Sequence, residues 1–292
     1  MLIVIWLGER RGNLTDWLTQ QWVRVTGSHI DLGSNQWLDG PIGSTRVIGR
    51  DFFENYARSR NYDIVRNGIR GLIPDFSVLC ENNASLTAVA APVREFYERT
   101  SEFQLDAWSE WRPVFRPFGG ALSLLFSQRL QQLNVPLTPL DSSKGMTSEV
   151  IQMRDPCSDQ MAQTAWVREL YATRNVLYAG CYSVCNVPLQ KAPCVKVVFP
   201  LPNGNAIVLM NALAGDDGSL TLQSIGDQFG DPGFYFVVHD GTGAIWARYV
   251  SSMKEEIRVY AAESGIVRAD HTLWIWGQRF LRLHYRMCKR AA

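Results

Sequence analysis

The feature that most constrains the fold is a series of short apolar segments, separated by turn sequences, that begins near residue 145 and continues to the C-terminus. Five of the breaks carry glycine in typical turn contexts, at residues 203–204, 217–218, 231–233, 240–243 and 264–265. Asn-Gly and Asp-Gly adopt the positive φ angles of tight hairpins, so they predict that consecutive strands are antiparallel neighbours. The predicted strands are 149–153, 164–171, 176–184, 194–199, 206–213, 219–224, 234–239, 245–250, 256–261, 267–276 and 280–287.

A meander of about ten antiparallel strands seldom stays flat, because a sheet of that width curls, splits into two layers or closes on itself. The predicted fold class is therefore α+β. A large antiparallel β-barrel or half-barrel is expected in residues 146–292, and a mixed helical part in residues 1–145 is expected to cover it. Several strands, such as 234–239, are apolar on both faces, so they need cover on both sides. We expect the two parts to form one cooperative unit.

Three helices are predicted in the N-terminal part. Residues 52–60 follow a good N-cap residue, and residues 92–100 begin with a proline, which suits a first helical position. Residues 118–133 form the strongest candidate, since leucines recur on one face and prolines follow. Packing on the sheet is the favoured role of this helix, with a lid or a peripheral membrane contact as alternatives. A strand is predicted at 103–111, and residues 1–7 fit a buried strand better than a signal peptide.

The charge balance and hydropathy of the chain limit its partners. Lysine and arginine total 29 against 28 aspartate and glutamate residues, which gives a formal net charge of +1. Binding to nucleic acid needs a concentrated basic excess, so no nucleic-acid partner is predicted. No run reaches the ~18 apolar residues of a spanning helix. The predicted location is the cytoplasm, where the six cysteines would remain free thiols.

The sequence carries no recognisable catalytic or phosphate-binding motif, and neither a metal site nor a cofactor is predicted. Cys181, Cys185 and Cys194 are close in sequence, but a structural zinc needs four ligands and no histidine lies nearby. These cysteines therefore fit buried thiols better than zinc ligands.

Two histidines in the last predicted strands are the candidate catalytic residues. His271 shares the alternation of its apolar neighbours and His284 lies beside apolar residues, so both are candidates to face the interior. A histidine with a carboxylate partner is the commonest proton-transfer pair. Asp270 points to the opposite face from His271, so the partner of His271 must come from a neighbouring strand. Glu256 and His284 are the candidates for that partner.

Tryptophans and arginines in the predicted strands are the candidate ligand-binding residues. Indole rings bring large rigid surfaces to a cavity wall, where their N–H groups find polar partners. The candidates are Trp108, Trp111, Trp166, Trp246, Trp274, Trp276, Arg248 and Arg282. Four further cations in apolar strands are interpreted as the solvent face of amphipathic strands, namely Arg168, Lys196, Arg258 and Arg268.

The order of a helix, a strand, a helix and a long antiparallel run resembles helix-grip proteins of the START and polyketide-cyclase type, which implies lipid or polyketide binding. The chain departs from that fold at its end, where the strand-like segment FLRLHYRM at 280–287 stands in place of a long C-terminal helix. The meander itself is more similar to an enlarged lipocalin-type barrel. Both resemblances cover the order of elements and no family motif.

The predicted function is the binding of a hydrophobic small molecule, lipid-, terpenoid- or polyketide-like, inside the barrel. A second hypothesis is an enzyme that carries out acid–base cyclisation or isomerisation on such a molecule, with His271 or His284 as the proton carrier. A third hypothesis is an interaction scaffold in which the barrel is solid. The sequence leaves these three hypotheses open.

Overall fold

The computed structural model describes residues 14–43, 51–115, 145–171 and 176–290. Within these ranges the chain forms three α-helices and fourteen β-strands, which is the α+β class that the sequence predicts. The helices are α1 (Leu14–Thr26), α2 (Phe52–Ser59) and α3 (Ala91–Glu98). The strands are β1 (Ser28–Ile30), β2 (Asp63–Val65), β3 (Phe103–Trp111), β4 (Glu149–Arg154), β5 (Met161–Glu169), β6 (Val176–Cys185), β7 (Cys194–Leu201), β8 (Gly204–Ala214), β9 (Leu220–Gln223), β10 (Gly233–His239), β11 (Ile245–Tyr249), β12 (Met253–Ala261), β13 (Val267–Ile275) and β14 (Gln278–Lys289).

The predicted N-terminal elements are confirmed wherever the structure describes them. The helices predicted at 52–60 and 92–100 are α2 and α3, and the strand predicted at 103–111 is β3. The strand predicted at 1–7 and the helix predicted at 118–133 lie outside the described residues.

All the strands belong to one antiparallel sheet that branches at β8. The main path runs β2-β4-β5-β6-β7-β8-β9-β12-β13-β14-β3. Strand β8 is eleven residues long, and it pairs with β10 along residues 204–209 and with β9 along residues 211–214. Strands β11 and β1 continue the branch from β10. The β3 strand precedes the meander in sequence and joins its far end beside β14.

Residues from both ends of the sheet pack into one apolar core, so the sheet curls on itself. Val150 and Trp166 from β4 and β5 share that core with Val259, Ala269 and Met287 from β12, β13 and β14. The hydrogen-bonded path nevertheless ends at β2 and β3. A large antiparallel sheet is thus confirmed, but the strands in the described ranges do not close into a barrel.

A second apolar core covers the opposite face of the first half of the sheet. It joins Trp37, Leu38, Phe53 and Ala57 from the N-terminal part to Met153, Ala179, Ile207 and Tyr235 from the sheet. Strands β5 to β8 are therefore covered on both faces. The N-terminal part also packs elsewhere on the sheet, because α1 contacts β10 and β11 while α3 contacts β12 and β13.

Two cations that the sequence places on a solvent face are buried, which corrects that interpretation. Arg168 on β5 is 7% exposed and Lys196 on β7 is 6% exposed. Both strands lie in the doubly covered half of the sheet, so neither of their faces meets solvent. The Lys196 ammonium donates to the Asp39 carbonyl oxygen at 2.9 Å, and burial lowers the pKa of Lys196. Arg268, in contrast, is exposed as predicted.

Candidate ligand-binding cavity

A cavity of about 660 Å³ lies on the concave side of the curled sheet. Its volume falls within the range of about 300–1,000 Å³ that small-molecule sites occupy. Most of its wall is apolar, with side chains such as Leu177, Val208, Met210, Ile257 and Leu283 contributed by four different strands. The alternation of each strand explains this wall, since every second residue points to the concave face.

The N-terminal part of the protein completes the wall of the cavity. Helix α1 borders the cavity through Thr19 and Gln20, and α3 borders it through Phe96 and Tyr97. The Gln20 side chain donates to the Pro202 carbonyl oxygen at 3.0 Å, which holds α1 against the β7–β8 turn. Burial raises the pKa of Tyr97, so its hydroxyl stays neutral within this wall. The helices therefore position part of the site as well as covering the sheet.

An arginine surrounded by aromatic rings forms the first polar group of the wall. Arg168 and Trp166 lie two residues apart on β5 and share its concave face, and Tyr178 on β6 is the register partner of Arg168. The Arg168 Cζ lies 4.3 Å from the ring centroids of both Trp166 and Tyr178, and 5.5 Å from that of Tyr285 on β14. The Trp166 Nε1 donates to Ser148 Oγ at 2.8 Å, which fixes the indole. Strands from the two ends of the sheet thus meet around one cation.

Two tyrosines beside this arginine supply neutral hydroxyl groups. The Tyr178 hydroxyl donates to the Tyr182 hydroxyl at 2.9 Å, and both rings line the cavity. Burial is the main cause of their shifts: it raises the pKa of Tyr178 well above its usual value and that of Tyr182 to about 12. Both hydroxyls therefore stay protonated near neutral pH. The Tyr178 proton is used in the bond to Tyr182, so the Tyr182 hydroxyl is the one able to donate a hydrogen bond to a ligand.

A histidine and a glutamate form the second polar group of the wall. The His271 Nε2 lies 3.0 Å from the Glu255 Oε2, and the two side chains are 15% and 9% exposed. Both residues line the cavity. Glu255 opposes Leu273 in the β12–β13 register, so it lies on the same face as His271 and diagonal to it. A half-buried imidazole bonded to a carboxylate is able to exchange protons with a bound molecule.

The carboxylate partner of His271 differs from both candidates that the sequence offers. Glu256 points to the other face of β12 and accepts a hydrogen bond from the Gln223 side chain at 2.7 Å. The partner is its neighbour Glu255. Because adjacent residues alternate, a shift of one position in the assumed register selects the wrong glutamate.

His284 lies on the opposite face of β14 from the cavity-lining Leu283 and Tyr285. Its Nδ1 is 2.6 Å from the Asp270 Oδ1, and its ring stacks on Trp108 with centroids 5.4 Å apart. Asp270 therefore pairs with His284, while His271 pairs with Glu255. The two candidate catalytic histidines belong to separate pairs on opposite faces of the sheet.

The structure brings four of the predicted site residues to the cavity and places the rest elsewhere. Trp111, Trp166 and His271 line the cavity, and Trp108 borders it. Trp246 packs against His29, and Trp276 is 74% exposed in the turn after β13. The predicted residues outside the described cavity wall are Trp246, Trp274, Trp276, Arg248, Arg282 and His284. Arg248 instead donates to the Thr26 carbonyl oxygen at the end of α1.

Sequence reasoning missed most residues of the two polar groups of the wall, which are Arg168, Tyr178, Tyr182, Glu255 and Tyr285. A signal for three of them was available. The segment TAWVRELY is apolar on both sides of its arginine, which indicates a strand without a solvent face. Tyr178 and Tyr182 share one face of the next strand. The residues on β12 and β14 depend on long-range register, which the sequence does not reveal.

Comparison with known proteins gives one relative. Over 245 residues, 84% of this chain, the sequence is 23% identical to the "Uncharacterized membrane protein YndJ" of Bacillus subtilis (strain 168). The chain spans less than half of that relative's length, at 42%. No protein-family model matches the chain, and no solved structure matches it. In the part of the chain that the structure describes, no helix has the length and apolar character needed to cross a membrane.

Proposed function

We propose that the protein binds a hydrophobic small molecule, lipid-, terpenoid- or polyketide-like, in the cavity of its curled sheet. The observation that carries the proposal is the cavity of about 660 Å³ with a mostly apolar wall. Its polar groups are few and face one space, as in sites that bury an apolar ligand and orient it by a small number of contacts. In this proposal the sheet works as a half-barrel container, and the N-terminal helices close parts of its wall.

Filling the cavity is expected to weaken binding. Ala206 lines the cavity on β8, and its replacement by phenylalanine adds a ring to the space of the ligand. We expect Ala206→Phe to lower the affinity for the neutral apolar probe 1-N-phenylnaphthylamine by about tenfold or more in fluorescence titration. Ala261→Phe, at the exposed end of β12, is the matched control and is expected to bind as the wild type does.

Native mass spectrometry of the freshly purified protein provides a second readout, since a tightly held ligand remains bound during gentle purification. Equal probe binding by Ala206→Phe and Ala261→Phe would place the site outside this cavity. Absence of both a retained ligand and probe binding would instead favour the scaffold hypothesis.

A second candidate function is acid–base catalysis on the bound molecule, and the Glu255–His271 pair favours it. The pair lies in the cavity wall with 3.0 Å between His271 Nε2 and Glu255 Oε2. In this proposal, His271 exchanges a proton with the ligand while the Glu255 carboxylate orients the imidazole and stabilises its cationic form.

Replacing each histidine separately by glutamine tests the catalytic hypothesis on the ligand that the protein retains. We expect His271→Gln to lower its conversion by about 100-fold or more, with little change in ligand affinity. His284→Gln is a matched control, because His284 has its own carboxylate partner but lies on the opposite face of the sheet. Lack of conversion by the wild type, or equal turnover in the two variants, would reject catalysis by His271.

The location and the membrane contact of the protein stay predictions. A cytoplasmic location is an expectation from the sequence, whereas the relative is named a membrane protein. The peripheral contact was predicted for residues 118–133, which lie outside the described ranges.

A further inference from the structure

The most unusual group in the cavity wall is the buried guanidinium of Arg168. The residue is 7% exposed and lines the cavity. Among the described residues, no carboxylate forms an ion pair with Arg168, and its Nε has no hydrogen-bond partner. Buried charges in proteins are normally paired, because removing an ion from water is costly. The lost hydration of the Arg168 guanidinium therefore has to be offset by other interactions.

The groups around Arg168 compensate its charge only in part. Trp166 and Tyr178 each present a ring 4.3 Å from the Arg168 Cζ, and such cation–π contacts offset some of the lost hydration. Glu255 is the nearby acidic group of the wall, but its carboxylate bonds to His271. The wall thus holds a cation that is stacked by aromatic rings and has no anionic partner within the described part of the chain.

We infer that the ligand is an amphipathic acid, whose carboxylate or phosphate headgroup pairs with Arg168 while its apolar body lies along the hydrophobic wall. This inference rests on the proposed function. Guanidinium groups bind both kinds of oxyanion with strong charge-assisted hydrogen bonds. The protonated Tyr182 hydroxyl stands beside Arg168 as a further donor for the same headgroup.

The test compares ligands with one hydrocarbon chain and different headgroups. Hexadecanoic acid, hexadecyl phosphate and 1-hexadecanol are each titrated against the complex of the full chain with 1-N-phenylnaphthylamine, and displacement of the probe is measured. The titrations are run at pH 8, where both acids are ionised, and at concentrations below those at which the acids form micelles. We expect at least one of the two acids to bind about 10- to 100-fold more tightly than the alcohol, the range that a hydrogen bond to a charged group supplies. The tighter of the two acids identifies the headgroup.

Two arginine variants complete the test. Arg168→Gln is expected to lower the affinity for the preferred acid to that for the alcohol measured on the same variant, and its far-ultraviolet circular dichroism spectrum shows whether the variant is folded. Arg268→Gln is the matched control, because Arg268 is exposed on β13, and it is expected to keep the preference for the acid.

The possible outcomes separate the two proposals. Equal affinity of the wild type for all three ligands, or an acid preference that survives in Arg168→Gln, overturns the inference and leaves the binding function in place. Failure of the wild type to bind the probe and all three ligands overturns the binding function and the inference with it.

Discussion

Gly71→Ala is expected to destabilise the protein by about 3 kcal/mol, the upper end of the cost of overpacking a buried site. A Cβ at this position would overlap the backbone carbonyls of Tyr97 and Glu98 at the end of α3. Backbone atoms are unable to move aside as a flexible side chain does. We expect a lower midpoint in urea unfolding, followed by tryptophan fluorescence, with an unchanged m value.

The hydrogen bonds around Gly71 explain why the segment is unable to relax. Its carbonyl oxygen accepts from the Gln152 side chain at 3.0 Å. The next two amides are also held, since Leu72 N donates to Thr100 Oγ1 at 3.2 Å and Ile73 N donates to the Tyr97 carbonyl oxygen at 3.1 Å. Leu72 itself lines the cavity, so the same displacement would disturb the site.

Gly33→Ala is the matched control for this prediction. The atom nearest to a Cβ at Gly33 is a carboxylate oxygen of the exposed Asp31, at 3.2 Å, so that side chain has to shift by only a few tenths of an ångström and no backbone atom is in the way. We expect a change within about 0.5 kcal/mol. A similar loss of stability in both variants would contradict the close approach of residue 71 to the backbone carbonyls at the end of α3.

Turn chemistry allowed much of the sheet to be predicted from the sequence. Asn203 has a φ of 59° in the turn between β7 and β8, and Gly218, Gly243 and Gly265 have φ of 76°, 86° and 75°. Each of these turns joins two strands that pair with each other. Local sequence determines such hairpins, because the positive φ restricts which residues fit.

The break at residues 231–233 is where the hairpin prediction is wrong. It precedes β10, which pairs with β8 and β11 and not with β9. The reason is the length of β8, which provides pairing positions for both β9 and β10 along its eleven residues. The pairing of β10 with β8 depends on contacts between residues that are distant in sequence, and the turn residues do not determine it.

For the candidate site, the sequence predicts on which face of its strand a side chain lies, but not which side chains meet there. Alternation correctly grouped His271 with Ala269 and Leu273, and all three line the cavity. The same rule applied strictly to His284 would have assigned it to the face opposite Leu283. The choice of Glu255 over Glu256 depends on which residues of β12 face His271 on β13. Tyr285 comes to Arg168 from β14, a strand far from β5 in sequence, so that contact depends on how the sheet curls.

For the predicted tryptophans as well, the sequence gives the type of side chain but not its environment in the fold. Composition identifies all of them as large apolar groups, but it does not say which ones the fold buries. Trp166 is 7% exposed beside Arg168, whereas Trp276 is 74% exposed in a turn. The two residues therefore provide a matched pair with identical chemistry and opposite environments.

Trp166→Ala is expected to cost about 3–5 kcal/mol of unfolding free energy, the usual range for deleting a buried aromatic side chain. Its indole packs against Phe96, Tyr178 and Tyr182, with ring centroids 6.3, 5.8 and 6.0 Å away. Its Nε1 also donates to Ser148 Oγ, and that acceptor loses its partner in the variant. Urea unfolding followed by circular dichroism measures the loss without relying on tryptophan emission.

Trp276→Ala is the control and is expected to change the stability by less than about 0.5 kcal/mol, because the ring is exposed in the wild type. Trp166 also supplies one of the rings that stack on Arg168, so its loss is expected to weaken ligand binding along with stability. If the two variants lost equal stability, Trp166 would not join α3 to the sheet at the cavity wall. The cavity would then lack the rigid surface on which both binding proposals depend.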